Sequence, residues 1–230
     1  MKTIRTLIID DERGARQELI RMLKSYPHIT VLAEATDADE AEKLIGMLKP
    51  DLIFLDIQMP GRSGFDLLES LDHLPEVIFV TAFDNFAVQA FEVSAMDYLM
   101  KPVREERFKS AIDKAVEKIN GGNQASVFVK DRGKHYLINW NDVYLIESVD
   151  NYARLFFGQE QVLLKSSLNK LEENPDCMRF FRANRNILFN LDYINQVRKD
   201  NGGTLVTLKT GESIRLSERQ GIKLRSLIKT

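Results

Sequence analysis

Leu52-Ile53-Phe54-Leu55-Asp56-Ile57-Gln58-Met59-Pro60-Gly61 is an apolar run that stops at an aspartate and breaks four residues later at Pro-Gly. A strand buried on both faces of a parallel sheet reads this way, because a half-exposed strand would alternate. Working outward, residues 7–9 form a similar run ending in Asp10-Asp11, and residues 77–80 another ending in Thr81. Residues 29–33 and 96–99 are weaker strands, the last leading to Lys101-Pro102. Between them lie helical periods: Ala15, Leu19, Met22 and Leu23; Ala38, Ala41, Ile45 and Leu48; Phe108, Ile112, Ala115 and Ile119. Asp37 is the expected N-cap of the second helix, with Glu40 as its capping-box partner. Five β-α repeats in about 118 residues predict a doubly wound α/β domain with a five-stranded parallel sheet, since short right-handed crossovers leave little other choice.

Asn120-Gly121-Gly122-Asn123-Gln124 then favours turns and flexible chain, and sets the expected boundaries: a first domain over 1–119, a linker over 120–124 and a second domain over 125–230. Beyond it the texture is mostly β, with short runs over 127–129, 136–138, 143–146, 153–157, 162–164, 187–189, 194–197 and 205–208, separated by turn signals such as Asp131-Arg132-Gly133. Two helical pieces interrupt it, over 167–173 and 218–229, the latter capped by Ser217.

The charge divides at the same place. Residues 1–120 carry 15 Lys+Arg against 22 Asp+Glu, a net of −7, and residues 121–230 carry 17 against 12, a net of +5. Such asymmetry is read either as a polyanion-binding module joined to something else or as an ordinary surface mixture. At 44% apolar and 29% charged, the 230 residues exclude a disordered or low-complexity chain. Cys177 is the sole cysteine, which excludes an internal disulfide and a cysteine zinc cluster and points to a reducing compartment. The apolar run near the N-terminus is too short for a signal segment or membrane span, and a soluble cytoplasmic protein is expected.

In open α/β sheets chemistry gathers beyond the carboxyl ends of the strands. Asp10, Asp11, Asp56, Thr81 and Lys101 all fall there. Three carboxylates so close raise one another's pKa unless a cation intervenes, and hard oxygen donors at a small open site suit Mg²⁺. One carboxylate can then attack phosphorus while the metal, Lys101 and Thr81 neutralise charge on the transferring group. In this order and spacing, Asp10-Asp11, Asp56 in Leu55-Asp56-Ile57-Gln58-Met59-Pro60-Gly61, Thr81-Ala82 and Lys101-Pro102 resemble the response-regulator receiver domain, a flavodoxin-like fold, over residues 3–119. The resemblance implies that Asp56 is the phospho-acceptor and that Asp11, Asp56 and the Gln58 carbonyl ligate the metal, with Asp10 acting directly or through water. It also implies that Thr81 and Lys101 hold the phosphoryl group, that Tyr98 is a switch aromatic, and that Lys101-Pro102 is cis. Phe83, two residues beyond Thr81, is expected to hinder attacking water; the apolar run over 84–93 reads first as core packing and, as the alternative, as a dimer surface formed with Phe86 or Val88.

In the second half aromatic and basic residues interleave, and Arg and Asn have the geometry to read guanine and adenine edges. Tyr144-Leu145-Ile146-Glu147-Ser148-Val149-Asp150-Asn151-Tyr152 and Phe180-Phe181-Arg182-Ala183-Asn184-Arg185-Asn186-Ile187-Leu188-Phe189-Asn190 resemble signature segments of the LytTR DNA-binding domain, over residues 125–229. That family places loops, rather than a helix, into successive major grooves. The matching DNA-contacting positions are Asn151, Arg154, Asn184, Arg185 and Arg219, with Lys165, Ser166 and Ser167 suited to phosphate. Many members carry His where this chain has Asn184, which leaves open the base read there. Arg182 is expected in an internal ion pair, and Trp140 and Phe189 in the core.

Together the two resemblances imply a response regulator that is not an enzyme. A sensor histidine kinase would phosphorylate Asp56 with Mg²⁺, the receiver would dimerise, and the second domains would bind double-stranded promoter DNA, with no membrane partner. The rival readings are an aspartyl-phosphate phosphotransferase, against which stands Gln58 where a general acid would be required, and a phosphorylation-insensitive RNA-binding regulator.

Overall fold

The computed structural model describes residues 3–82, 97–121, 125–200 and 203–228. The expectations for Phe83, Phe86 and Val88 lie outside them. Two compact units partition the chain, one comprising residues 1–128 with 133–138 and the other residues 129–132 with 139–230.

The first unit contains β1 (Ile4–Ile9), α1 (Arg13–Leu23), β2 (Ile29–Ala35), α2 (Ala38–Leu48), β3 (Leu52–Leu55), α3 (Gly64–Ser70), β4 (Glu76–Thr81), β5 (Asp97–Met100) and α4 (Glu105–Asn120). The strands form one parallel sheet in the order β2-β1-β3-β4-β5. Side chains alternate across it. Leu7, Ile9, Ile53, Leu55 and Phe79 bury against Ile45 of α2 and Leu67 and Leu68 of α3. Ile4, Ile8, Leu52, Phe54 and Ile78 bury against Leu19 and Met22 of α1 and Phe108 and Ile112 of α4. With helices on both faces, every residue of β3 is buried, which is why its sequence is continuously apolar. The Lys101-Pro102 peptide is cis.

The helix starts differ in detail from expectation. Asp37 does cap α2, accepting from the Glu40 backbone N–H at 2.8 Å, but Glu40 reaches back to Thr36 N–H at 2.9 Å rather than to the cap residue. The reciprocal capping box occurs instead on α3, between Ser63 and Asp66.

β6 (Ser126–Asp131) and β7 (Lys134–Asn139) form a two-stranded hairpin. Its turn places Arg132 and Gly133 at φ 50° and 77°, the primed geometry that suits the strands' twist. The second unit contains β8 (Val143–Val149), β9 (Tyr152–Phe157), β10 (Glu160–Leu164), α5 (Leu168–Glu173), β11 (Phe180–Asn184), β12 (Ile187–Asn190), β13 (Ile194–Asp200), β14 (Gly203–Leu208), β15 (Ser213–Ser217) and α6 (Glu218–Ile228). One antiparallel sheet runs β10-β9-β8-β12-β11 and a second β13-β14-β15. Their shared core holds Leu145, Phe181, Phe189, Val206, Leu216 and, from α6, Leu224. Trp140 and Phe189 are buried as expected.

Candidate functional site

The first site follows from strand order. The chain leaves β1 to one side for β2 and returns past it to β3, so β1 and β3 flank the switch point where an open sheet exposes its carboxyl ends. Ile9 pairs with Leu55, and Asp56 N–H donates to the Ile9 carbonyl at 2.9 Å. Asp10 and Asp56 therefore leave their strands at the same level. Both are buried, whereas Asp11 is exposed.

Lys101 draws the carboxylates together. Its ammonium lies 2.8 Å from Asp10 Oδ2, 2.7 Å from Asp56 Oδ2 and 3.0 Å from Glu12 Oε2. Burial alone would lower the Lys101 pKa, but hydrogen bonds to these acids override it and hold the pKa above its ordinary value. Asp10 is shifted upward, because burial outweighs the pull of Lys101 and of the Glu12 N–H. Sequence reasoning did not single out Glu12, although it directly follows the Asp pair.

Asp10, Asp11 and Asp56 each offer a carboxylate oxygen, and these atoms lie within 4.8 Å of one another. Such hard oxygen donors clustered at an open sheet edge fit a divalent cation that retains waters. Gln58 is held beside them, its N–H donating to Asp56 Oδ1 at 3.1 Å. From the opposite side Arg16, buried on α1, donates to the Asp10 and Asp11 carbonyls at 2.8 and 3.4 Å and pairs with Glu34 at 2.8 Å, fixing the backbone that carries both acids.

Thr81 ends β4 with its hydroxyl buried and without a hydrogen-bond partner among the described residues. A buried hydroxyl left unmet costs about 1–3 kcal/mol. Tyr98 is half-buried against the core of the α2–α3 face.

A second cluster belongs to the second unit. Leu164 pairs with Ala153, Val149 with Tyr152 and Ile187 with Glu147, so the β10–α5, β8–β9 and β11–β12 connections all emerge at one end of the sheet. They carry Lys165, Ser166 and Ser167; Asn151; and Asn184, Arg185 and Asn186. Asn151, Lys165, Asn184, Arg185 and Arg219 are exposed. Arg154 lies opposite Glu147 on the neighbouring strand, 3.9 Å away. Ser167 caps α5, accepting from Lys170 N–H.

A cleft of about 480 Å³ joins Asn184 to Ser217 and Arg219 and brings in Arg215, Gln220 and Lys223. Arg215 pairs with Asp200. Lys223 stands one helical turn beyond Arg219, with its ammonium 5.9 Å from the centre of the Phe181 ring. Neither cation was singled out from the sequence, since only the folded sheet brings β15 and α6 beside the β11–β12 loop. Asn184 also has a role within its loop. Its side-chain oxygen accepts from Asn186 N–H at 2.8 Å, so the carboxamide shapes the loop.

No helix among the described residues is long and apolar enough to cross a membrane. Comparison with known proteins gives two matches along the chain, to the response regulator receiver domain over residues 6–113 and to the LytTr DNA-binding domain over residues 133–229. The sensory transduction protein LytT of Enterococcus faecalis is 32% identical over 220 residues, covering 90% of this chain and 91% of that protein. The transcriptional regulatory protein BtsR of Salmonella typhi is 32% identical over 240 residues, covering 98% and 99%. Among solved structures, the response regulatory domain of protein mrkE from Klebsiella pneumoniae is 30% identical with a TM-score of 0.47, covering 51% of this chain and 99% of that one.

Proposed function

The chain belongs to the response regulators that join a receiver domain to a LytTR DNA-binding domain, and from that premise we propose that Asp56 accepts a phosphoryl group from a sensor histidine kinase and thereby promotes dimerisation and promoter binding. The functional division runs through residues 120–124, with residues 1–119 as the receiver and 125–230 as the DNA-binding domain. The cytoplasm is where kinase and DNA are both within reach.

A carboxylate oxygen of Asp56 attacks phosphorus, the phosphorus–nitrogen bond of the donor phosphohistidine breaks, and the imidazole leaves with the bonding pair. Asp10, Asp11, Asp56 and the Gln58 carbonyl would hold Mg²⁺, which when bound would supply positive charge to the phosphoryl oxygens. Lys101, kept cationic by its acidic neighbours, turns from the acids to the new dianion. The Thr81 hydroxyl gains the acceptor it lacks, and Tyr98 follows it inward as the switch. The observation that carries this reading is the Lys101 ammonium bridging Asp10 and Asp56 at 2.8 and 2.7 Å.

At the other end of the chain the three loops and the Arg219 cleft present Asn151, Arg154, Arg185 and Arg219 to base edges and Lys165 and Ser166 to phosphates, with Asn184 shaping its loop. Dimerisation couples the two ends, because tethering two modest DNA-binding domains raises their effective concentration at paired half-sites. Footprinting of genomic DNA with untreated protein, phosphodonor-treated protein and Asp56→Ala tests it. Protection at discrete sites that strengthens with donor in the wild type alone is expected. Equal protection by all three would contradict the proposal.

A further inference from the structure

Arg182 holds two of the backbone carbonyls of the β11–β12 loop. Its Nε donates to the Asn184 carbonyl at 2.6 Å and its Nη2 to the Arg185 carbonyl at 2.8 Å, while its Nη1 lies 3.3 Å from Glu172 Oε2 on α5. The loop closes on itself through the Asn184 side chain and Asn186 N–H, and the Asn186 carbonyl accepts from Ser148 N–H of β8 at 2.8 Å. Every backbone carbonyl from Asn184 to Asn186 is thus engaged. The Arg185 side chain is exposed and without a partner among the described residues.

We propose that Arg182 is a positioning residue for sequence readout: its guanidinium fork, anchored by Glu172, fixes the backbone from which Arg185 reaches a base. The inference rests on the reading of this edge as the duplex-binding face. Bidentate contact with a base edge demands orientation, and a loop already fixed has less freedom to lose on binding. Only a guanidinium serves here, because its rigid planar fork meets two carbonyls and a carboxylate at once, which a lysine ammonium does not match. Paired with Glu172 and turned toward the loop backbone, Arg182 contributes little to non-specific attraction for phosphates.

The test uses the full chain with duplexes selected by the wild type from a random pool, and scrambled duplexes of equal composition as the non-specific probe. For Arg182→Gln and Arg182→Lys, the ratio of selected to scrambled affinity is expected to fall about tenfold, while scrambled affinity and its salt slope change little. Glu172→Gln, which leaves the fork in place and loosens its anchor, lowers the ratio by a smaller factor and serves if Arg182→Gln does not fold. Arg185→Ala separates the two claims. If it lowers the ratio while the Arg182 and Glu172 variants do not, the positioning role is wrong. If it leaves the ratio intact, the reading of the loop as a base-contacting element fails. Equal loss on both probes in the Arg182 variants would overturn the proposal in favour of a purely structural role.

Discussion

Gly64 lies against Asp56 so closely that a Cβ on Gly64 would sit 2.3 Å from the Asp56 carbonyl oxygen. The contact sets the first turn of α3 against Asp56, with Gly64 N–H donating to the Ile57 carbonyl at 2.9 Å. A backbone atom cannot step aside as a flexible side chain would. Gly64→Ala is therefore expected to cost about 1–3 kcal/mol in denaturant unfolding and to slow phosphorylation of Asp56. Unchanged stability together with an unchanged rate would show that the contact relaxes freely.

Lys101 is the counter-charge shared by Asp10, Asp56 and Glu12. Removing one partner of a buried ionic cluster leaves unmatched charge, at a cost of about 3–5 kcal/mol. Lys101→Met is expected to lower the melting temperature strongly in chelator and much less in millimolar Mg²⁺, because a divalent ion supplies the missing charge. An equal loss in both conditions would count against a metal site at these acids.

Gly221 makes the corresponding close approach in the second unit. A Cβ there would meet Thr204 Oγ1 at 2.1 Å and Thr204 Cβ at 2.8 Å. Gly221→Ala should destabilise the seating of α6 on β14 by about 1–3 kcal/mol, with partial rescue by Thr204→Gly. Failure of the second change to restore any stability would locate the strain elsewhere.

Burial pushes the Cys177 thiol up to about 12 from an ordinary 9.0. Because the folded value is the higher, the stabilisation from keeping the thiol neutral is complete below 9.0 and declines as pH rises toward 12. At pH 8 the folded protein should react with a disulfide reagent only as fast as it opens, and stoichiometrically once unfolded. Rapid labelling of the native protein would contradict this burial.

The first unit was legible because strands covered on both faces become continuously apolar, and because residues 52–61 join such a strand to its acid and its turn. The order in which Asp10, Asp56 and Lys101 follow their strands was legible too, and the fold brings these three together. The ion pair expected for Arg182 is present with Glu172, whereas Glu12 and Arg16 were missed, since a carboxylate after two others and one helix arginine carry no periodic signal. In the second unit β11 and β15 escaped detection. Five-residue strands such as Ser213–Ser217 alternate buried and exposed for barely two periods beside a turn. The cleft around Arg219 is assembled from residues distant in sequence, so its members Arg215 and Lys223 had no local mark.

Mass spectrometry of the intact chain and its peptides, after treatment with Mg²⁺ and a small phosphodonor, tests the central claim most directly. The account predicts a single adduct of about 80 Da, the mass of one phosphoryl group, mapping to Asp56 and absent from Asp56→Ala. A wild-type chain that stays unmodified, or an Asp56→Ala chain that takes up the same mass, would contradict it.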